Sequence, residues 1–230
     1  MAYKPMMTED EARRRLAWQD RAYNLHLSSE KSVSMDFCGR KILVPCNVFA
    51  PVPWEQNLLA QSVLEEVKDT DKVLDMGTGS GIQAILAASK SNNVTAVDVN
   101  PFAVECAKLN VNSNKLSSRI KVLESDLFKT VKGKFDLIIF DPPFRWSAPR
   151  DLWERSCADK DYNTMREFFE KAGEHLNKNG RILVHFGTSG DIAYLKLLIR
   201  KNGFKRKQLH KNSSMGWTYF TYRLTRYNQD

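Results

Sequence analysis

The sequence has few residues of the kinds that build metal centres and covalent cross-links. Its four cysteines, Cys38, Cys46, Cys106 and Cys157, include no C-x-x-C pair, and its four histidines are equally dispersed. A structural zinc site needs clustered ligands, and a disulfide framework needs paired cysteines. We therefore expect no metal and no disulfide, and reduced cysteines in a cytoplasmic protein.

Long apolar runs are also missing. The strongly apolar stretches are short, as at residues 137–140, whereas a helix that crosses a bilayer needs about 20 apolar residues. Glu9 and Asp10 stand where a secretory signal would have a basic start and an apolar run. These absences predict neither a membrane span nor export, and so a cytoplasmic location.

Positive charge is concentrated at the C-terminus. The formal net charge is +8, and residues 200–230 contain eight lysines and arginines but a single acid. Such a segment is typical of proteins that bind a polyanion such as RNA, through the release of condensed counterions. It is equally typical of a solvated edge hairpin whose lysines prevent aggregation between sheets. Both interpretations stay open at this stage.

The first 53 residues predict an N-terminal extension. Thr8 and Glu11 have the spacing of a capping box, which predicts an amphipathic helix that follows them. Residues 32–37 and 41–44 have strand patterns and predict a β-hairpin. We place the boundary of the main domain after this extension, as 1–53 and 54–230.

The main domain shows strands that alternate with helices. Short runs rich in Val, Ile and Leu predict strands at 72–76, 93–99, 120–124, 135–140 and 181–186. Helix patterns lie between and before them, at 54–67, 82–90, 101–113, 164–176 and 191–201. Two final strands, 204–210 and 217–224, predict an antiparallel hairpin. We expect a doubly wound, Rossmann-like α/β fold whose seven-stranded sheet is parallel except for this hairpin.

A glycine-rich turn follows the first strand of this domain. Gly77, Gly79 and Gly81 stand at alternate positions after Asp75, with Thr78 between the first two. Glycines at such a turn let a ligand approach the backbone closely, near the free N–H groups of a helix start. The spacing differs from the dinucleotide fingerprint G-x-G-x-x-G, which predicts a nucleoside ligand without a required pyrophosphate.

Polar residues also end the next two strands. Asp98 and the nearby Asn100 follow the second strand, and Asp126 follows the third. A carboxylate at the tip of the second strand can accept two hydrogen bonds from a ribose diol, and Asp126 can accept from an adenine amine. Each acid alone could instead cap a helix or face solvent. Together they predict one ligand crevice at the carboxyl ends of the strands.

This arrangement resembles the class I S-adenosylmethionine-dependent methyltransferases over residues 54–224. The resemblance implies that S-adenosylmethionine is the cofactor, S-adenosylhomocysteine the product, and that no metal is needed. It further implies that Asp75 and the glycine turn hold the methionine end, with Asp98 at the ribose and Asp126 at the adenine. The predicted cofactor-binding residues are Asp75, Gly77, Thr78, Gly79, Gly81, Asp98, Asn100 and Asp126.

A second motif, Asp141-Pro142-Pro143-Phe144, follows the apolar strand at 135–140. The two prolines stiffen the turn and lack N–H donors, so acceptor atoms can be aimed at an incoming amine. Asp141 and the Pro142 carbonyl would supply two acceptors, and Phe144 a face for a planar substrate. A rigid exit from the strand, with Asp141 as a cap, is the structural alternative.

The motif resembles the [N/D]-P-P-[Y/F] signature of amino-group methyltransferases. Residues 37–53 are similar to the lead-in of the small-domain methyltransferases, which include release-factor glutamine enzymes and enzymes of ribosomal and transfer RNA. The chain departs from that pattern in having Glu55 where those enzymes often have threonine, and a Leu58-Leu59 pair displaced by one. The resemblance implies transfer of a methyl group to a planar nitrogen.

The sequence favours a base amine in rRNA or tRNA as the acceptor. Asp141 can only accept hydrogen bonds when ionised, which suits an NH₂ group better than a carboxamide carbonyl. Candidate substrate contacts are Arg145 and Trp146 after the motif, which could stack, contact phosphate or only pack the loop, and Lys205 and Lys207 of the final hairpin. We expect this hairpin beside the fourth and fifth strands of the domain, on the substrate side. Glutamine N5-methylation of a protein is the alternative, followed by a small metabolite and by a cofactor-binding module without activity.

Overall fold

The N-terminal part forms one helix and one hairpin in the computed structural model, which describes residues 3–27, 32–51 and 53–227. Helix α1 spans Glu9–Leu27, and strands β1 (Val33–Phe37) and β2 (Arg40–Val44) pair antiparallel. The capping box is present: the backbone N–H of Thr8 donates to Glu11 Oε2 at 3.0 Å, and the Glu11 N–H donates to Thr8 Oγ1 at 3.3 Å. The division of the chain at residue 53 stays a prediction.

The remaining strands form one seven-stranded sheet in the order β5-β4-β3-β6-β7-β9-β8. The first five are parallel to one another, β9 pairs antiparallel with β7, and β8 pairs antiparallel with β9. Their bounds are β3 Lys72–Met76, β4 Asn93–Asp98, β5 Ile120–Glu124, β6 Phe135–Phe140, β7 Leu176–Gly187, β8 Phe204–Ser214 and β9 Trp217–Arg226. The predicted Rossmann-like sheet with its antiparallel C-terminal hairpin is confirmed.

In the described residues, five α-helices pack on the two faces of this sheet, which separates two apolar layers of the core. They are α2 (Pro53–Glu66), α3 (Ile82–Ala87), α4 (Pro101–Ser113), α5 (Asn163–Ala172) and α6 (Ile192–Lys201). On one side, Leu59 of α2, Ile85 of α3 and Ile42 of the hairpin are fully buried in a single cluster. On the other, Phe168 of α5 and Leu195 of α6 are equally buried. Apolar layers on both sides explain why the central strands are almost continuously hydrophobic.

Strand β3 lies between β4 and β6. The strands up to β5 are added on one side of β3 and the later strands on its other side, so the order of strands reverses at this point. In open α/β sheets, ligands bind outside the carboxyl ends of the strands at such a switch. Both sequence motifs follow strands that border it, the glycine turn after β3 and the Asp-Pro-Pro-Phe turn after β6. The topology therefore brings together two motifs that are more than sixty residues apart in the chain.

Two predicted boundaries were wrong. Strand β7 begins at Leu176 rather than at 181, because Leu176 pairs with Phe135 before an irregularity in the ladder, and α5 accordingly ends at Ala172. Residues 211–216 do not form a loop: β8 continues to Ser214, and only Met215 and Gly216 make the turn, at φ of 52° and 81°. Two residues with positive φ form the tight turn that matches strand twist.

No helix in the part of the chain that the structure describes has the length and hydropathy of a membrane span.

Candidate active site

A cavity of about 240 Å³ lies at the carboxyl ends of β3, β4, β6 and β7. The glycine turn and the acids after β3 and β4 line one part of it, and the Asp-Pro-Pro-Phe turn lines another. All predicted cofactor-binding residues except Gly81 line the cavity, as do all four predicted catalytic residues. The structure thus brings the two motifs to a single pocket.

The glycine turn leaves space in this pocket. Gly77 and Gly79 adopt φ values of +71° and +54°, and a Cβ added at either would meet no atom within 4 Å. Gly81 differs, because its Cβ would lie 3.2 Å from Ala107 of α4. The first two glycines therefore keep the pocket open, whereas the third allows α3 and α4 to pack closely.

Asp75 secures the glycine turn from beneath. Only 2% of Asp75 is exposed, and its Oδ2 accepts hydrogen bonds from Thr78 Oγ1 at 2.6 Å and from the Ala84 N–H at 3.1 Å. Burial raises the pKa of this carboxyl to about 6, against the two hydrogen bonds, which lower it. Asp75 is therefore a buried acid that titrates close to neutral pH.

Asp98 and Asn100 hold the tip of β4. Asp98 Oδ2 accepts from the Gly79 N–H at 2.9 Å, and Oδ1 accepts from the Asn100 N–H at 2.9 Å. Burial raises the pKa of Asp98, while these backbone donors oppose the shift. The Asn100 side chain caps α4 by accepting from the Phe102 N–H at 3.0 Å. Each Asp98 oxygen keeps capacity for a further donor.

Asp126 is the most exposed of the three acids. Its carboxylate makes an ion pair with Lys129 Nζ at 2.7 Å, and 40% of the side chain is accessible. It nevertheless lines the pocket beyond the end of β5. The three strand-end acids thus form a gradient from the buried Asp75 to the partly solvated Asp126.

The Asp-Pro-Pro-Phe turn is held by the segments around it. The Tyr162 hydroxyl donates to the Phe144 carbonyl at 2.7 Å, and the Phe144 ring lies 4.7 Å from the Phe186 ring and 5.9 Å from His185. A Cβ at Gly190 would lie 2.5 Å from the Phe144 carbonyl oxygen. Close packing from several directions fixes the turn relative to the end of β7.

Of the four predicted substrate contacts, Arg145 alone reaches the pocket. It is 6% exposed, lies 3.7 Å from Glu154, and exchanges backbone hydrogen bonds with Cys157 and Asp159. Trp146 packs in the core beside the rings of Tyr3 and Tyr162 and does not line the cavity. Trp146 therefore packs the loop rather than lining the pocket, because the loop turns its ring inward, and a substrate contact of Trp146 stays a prediction.

Lys205 and Lys207 lie on the edge strand and do not line the pocket. Lys205 faces Thr225, which faces Arg181, whereas the pocket lies near the pairing of Gly187 with Tyr219. Six strand residues of about 3.3 Å each put Lys205 roughly 20 Å from the pocket. The hairpin does lie beside β7, through β9, but β8, which carries both lysines, is the edge strand. A substrate contact of either lysine stays a prediction.

Sequence reasoning missed several pocket residues. They are contributed by α1 (Trp18 and Gln19), the segment after the hairpin (Val48 and Phe49), the loop after the motif (Leu152, Arg155, Ser156 and Cys157), and the ends of β7 and β9 (His185, Ser189 and Tyr219). His185 carried a signal, since it is a polar residue within an apolar strand. Nothing in the sequence of α1 indicates which of its residues reach the pocket.

Comparisons with known proteins agree with this architecture. The sequence profile of the methyltransferase small domain family matches residues 52–193. A provisionally named protein N5-glutamine methyltransferase of Methanocaldococcus jannaschii is 40% identical over 107 residues, which are 46% of this chain and 52% of that protein. A tRNA1(Val) (adenine(37)-N6)-methyltransferase of a Flavobacteriaceae bacterium is 34% identical over 127 residues, 53% of each chain.

Solved structures share the fold. The tRNA m1G37 methyltransferase of M. jannaschii superposes with a TM-score of 0.64 at 20% identity, over 87% of this chain and 58% of that one. The chain spans about half the length of the two sequence relatives. The family profile covers more than half of the chain, and its range contains both motifs. The predicted resemblance is therefore confirmed, and the chain belongs to the methyltransferase small domain family.

Proposed function

We propose that this chain transfers a methyl group from S-adenosylmethionine to an amine nitrogen of a base in rRNA or tRNA. The observation that carries the proposal is the single pocket that joins the glycine turn and strand-end acids to the Asp-Pro-Pro-Phe turn. A cofactor half and an acceptor half in one cavity are what direct transfer between two bound molecules requires.

The residues of the first half fit the cofactor. The open space at Gly77 and Gly79 would admit its chain, and Asp98 and Asp126 offer acceptors to a ribose and an adenine amine. Asp75 would face the positively charged methionine end from its buried position. The fit rests on the open space at this turn, where a Cβ at Gly77 or Gly79 would meet no atom within 4 Å.

The acceptor half would orient the nitrogen. S-adenosylmethionine, when bound, supplies an electrophilic methyl group on a positively charged sulfur. The Asp141 carboxylate and the Pro142 carbonyl would accept hydrogen bonds from the substrate amine and direct its lone pair, while Phe144 would hold the plane of the substrate. Positioning of this kind, rather than a strong base, would supply most of the rate enhancement.

Two features support a base rather than a protein side chain. The acceptor half contains the aromatic rings of Phe144, Tyr219 and Trp18, which suit a flat ring. The pI of about 9.3 favours a polyanionic partner. The 40% identity with an N5-glutamine methyltransferase favours the alternative, a protein glutamine, and makes that acceptor the second candidate.

The experiment that tests the proposal offers both acceptors side by side. The full chain is incubated with methyl-labelled S-adenosylmethionine and one of two acceptors. The first is unmodified transcripts of rRNA and tRNA, and the second is total protein from cells that lack this enzyme. We expect label in RNA, in an N-methylated base after nuclease digestion. Label in protein alone would replace the proposal with the glutamine alternative, and cofactor binding with no label in either would indicate a binding module.

The affinity for S-adenosylhomocysteine is expected to fall as the pH drops below about 6. Because the pKa of Asp75 is raised, the folded protein without ligand holds the proton of this carboxyl more tightly than the unfolded chain does. Ionisation of Asp75 therefore lowers the stability of the fold as the pH rises from 3.8 to about 6. A ligand ammonium group would favour the ionised form. Protonation therefore opposes binding, by up to about tenfold per pH unit below the pKa.

Calorimetric titration between pH 5 and 8 measures this effect. The matched variant Asp75→Asn keeps the side-chain shape and should bind more weakly with a flatter pH profile. Asp98, whose pKa is also raised by burial, would leave a residual slope in that variant. An unchanged slope in Asp75→Asn would assign the titration to another group.

A further inference from the structure

Helix α1 is fixed across the acceptor half of the pocket by contacts along one face. Arg15 donates to the Gly190 carbonyl at 2.6 Å, Gln19 Nε2 donates to the Ser189 carbonyl at 3.2 Å, and the Tyr23 hydroxyl donates to Asp151 Oδ2 at 2.5 Å. These three residues recur every four positions, which puts them on one side of the helix. Gln19 is thus held between two anchors, one turn away on each side.

The orientation of the Gln19 amide follows from its partner. A backbone carbonyl can only accept, so the NH₂ group must face Ser189 and Oε1 must point the other way. Gln19 is 2% exposed and lines the pocket, and its Oε1 has no hydrogen-bond partner among the residues that the structure describes. A buried acceptor without a partner is costly unless a ligand supplies the donor.

His185 presents a second such atom. It is fully buried near the end of β7, its Nδ1 lies 3.3 Å from Thr221 Oγ1, and its Nε2 has no partner within residues 3–27, 32–51 and 53–227. Burial lowers its pKa to about 3, so the ring is neutral at physiological pH. A neutral imidazole can present either a donor or an acceptor at Nε2, as the partner requires.

The His185 ring lies beside the predicted stacking surface at Phe144, and Gln19 lines the same cavity. The His185 ring is 5.9 Å from Phe144 and stacks on Tyr219 at 6.0 Å with an interplanar angle of 8°. Gln19 is bonded to Ser189, which follows β7 closely in the chain. Aromatic faces with polar atoms at their edge are the elements that recognise a base by stacking and by hydrogen bonds.

We propose that Gln19 and His185 determine acceptor specificity, by binding the hydrogen-bonding edge of the base whose amine nitrogen is held at residues 141–144. This inference rests on the proposed function and adds the residues that select the substrate. Gln19 Oε1 accepts a hydrogen bond from the base, and His185 Nε2 pairs with a neighbouring polar atom of the same edge. Helix α1 is then part of the substrate site.

Gln19→Met tests the first contact, because it keeps the length of the side chain and removes the acceptor. We expect kcat/KM with unmodified rRNA and tRNA transcripts to fall about 10- to 100-fold, since the substrate loses a partner in a desolvated site. The affinity for S-adenosylhomocysteine should stay within about twofold, as expected for residues outside the cofactor half. Gln61→Met on the exposed face of α2 is the matched control and should change neither quantity.

His185→Leu and His185→Gln test the second contact. Leucine removes the hydrogen-bonding atom and should lower kcat/KM by a similar factor, whereas glutamine can restore a polar atom near the Nε2 position and should recover most of the rate. A residue that only packs would give the opposite order, because leucine suits a buried site better than glutamine. Thermal unfolding of each variant separates loss of the fold from loss of recognition.

The outcomes separate this inference from the function on which it rests. If the wild-type chain labels RNA while Gln19→Met and His185→Leu keep kcat/KM within twofold, the two residues do not select the base, and the inference is overturned while the proposed function stands. If the wild-type chain labels only protein, the proposed function fails and the base-recognition role fails with it. A loss in both variants, with rescue by His185→Gln, supports the inference.

Discussion

Replacing Asp141 with alanine is expected to lower kcat for methyl transfer by about three orders of magnitude, which is the scale of losing an oriented acceptor at the reacting atom. The Asp-Pro-Pro-Phe turn is fixed by Tyr162 and by the close approach of Gly190, so the rest of the turn should keep its position. The substrate amine would lose one of its two acceptors and the orientation of its lone pair. Initial rates with labelled S-adenosylmethionine measure the change.

The affinity for S-adenosylhomocysteine distinguishes a role in transfer from a role in the fold. In Asp141→Ala it should remain within about twofold, because the cofactor half is formed by other strands. Asp141→Asn keeps one acceptor oxygen and should retain more activity than alanine, with a loss of about tenfold. Asp69→Ala, at an exposed position far from the motif, is the control. Equal losses of transfer and of cofactor affinity would mean that Asp141 is structural.

The sequence was sufficient to predict that the acids after three strands meet in one pocket. Asp75, Asp98 and Asp126 each end a strand, and parallel strands deliver their carboxyl ends to one edge, so position in the chain determines position in space. The same reasoning put Asp141 beside them, because β6 pairs with β3. Where a residue is tied to the end of a core strand, a regular fold makes its location predictable.

Residues that depend on packing between distant segments were not predictable in this way. Gln19 reaches the pocket because Arg15 and Tyr23 bind loops about 130 to 175 residues away in the chain. Trp146 does not line the pocket, because its ring packs against Tyr3 and Tyr162. Neither event follows from periodicity or from motif spacing, since each depends on the tertiary position of a loop.

The location of the basic residues 205 and 207 depends on which strand of the final hairpin pairs with β7. Charge alone predicted a polyanion contact, and the expected place of the hairpin beside the fourth and fifth strands of the domain put Lys205 and Lys207 on the substrate side. Because β9 lies between β7 and β8, both lysines lie on the edge strand. Lys205 is level with Arg181, six residues before the end of β7 that borders the pocket. If they contact RNA, they would do so outside the reacting nucleotide, where phosphate contacts position a duplex or stem without reading bases.

The end of the sheet opposite the pocket contains a buried ionic cluster centred on Arg181. Only 7% of Arg181 is exposed, and it bonds Asp71 at 2.7 and 3.2 Å, the Asp136 carbonyl at 3.1 Å and the Glu66 carbonyl. Glu66 also binds Arg223 of β9 at 3.0 Å. The cluster thus joins the end of α2 to β6, β7 and β9, and Arg181 pairs with both acids, while Arg223 pairs with Glu66 as well.

Arg181→Leu is therefore expected to reduce the free energy of unfolding by about 3–5 kcal/mol, because it removes the cation from the buried Asp71, while Glu66 keeps Arg223. Reversible urea denaturation measures the loss, which corresponds to a fall in melting temperature on the order of 10 °C for a chain of this size. The affinity for S-adenosylhomocysteine of the folded fraction should not change, because Arg181 lies six residues along β7 from Gly187, where the strand ends near the pocket.

A double variant shows whether charge is the cause. Asp71→Asn removes one of the uncompensated charges while keeping an acceptor for the Lys68 N–H, which Asp71 binds at 2.7 Å. Arg181→Leu combined with Asp71→Asn should therefore be less destabilised than the sum of the single variants, by about 1–2 kcal/mol. Arg200→Leu, at an exposed position in the last turn of α6, is the control for loss of an arginine. Additive losses would instead assign the effect of Arg181 to packing of its side chain rather than to its charge.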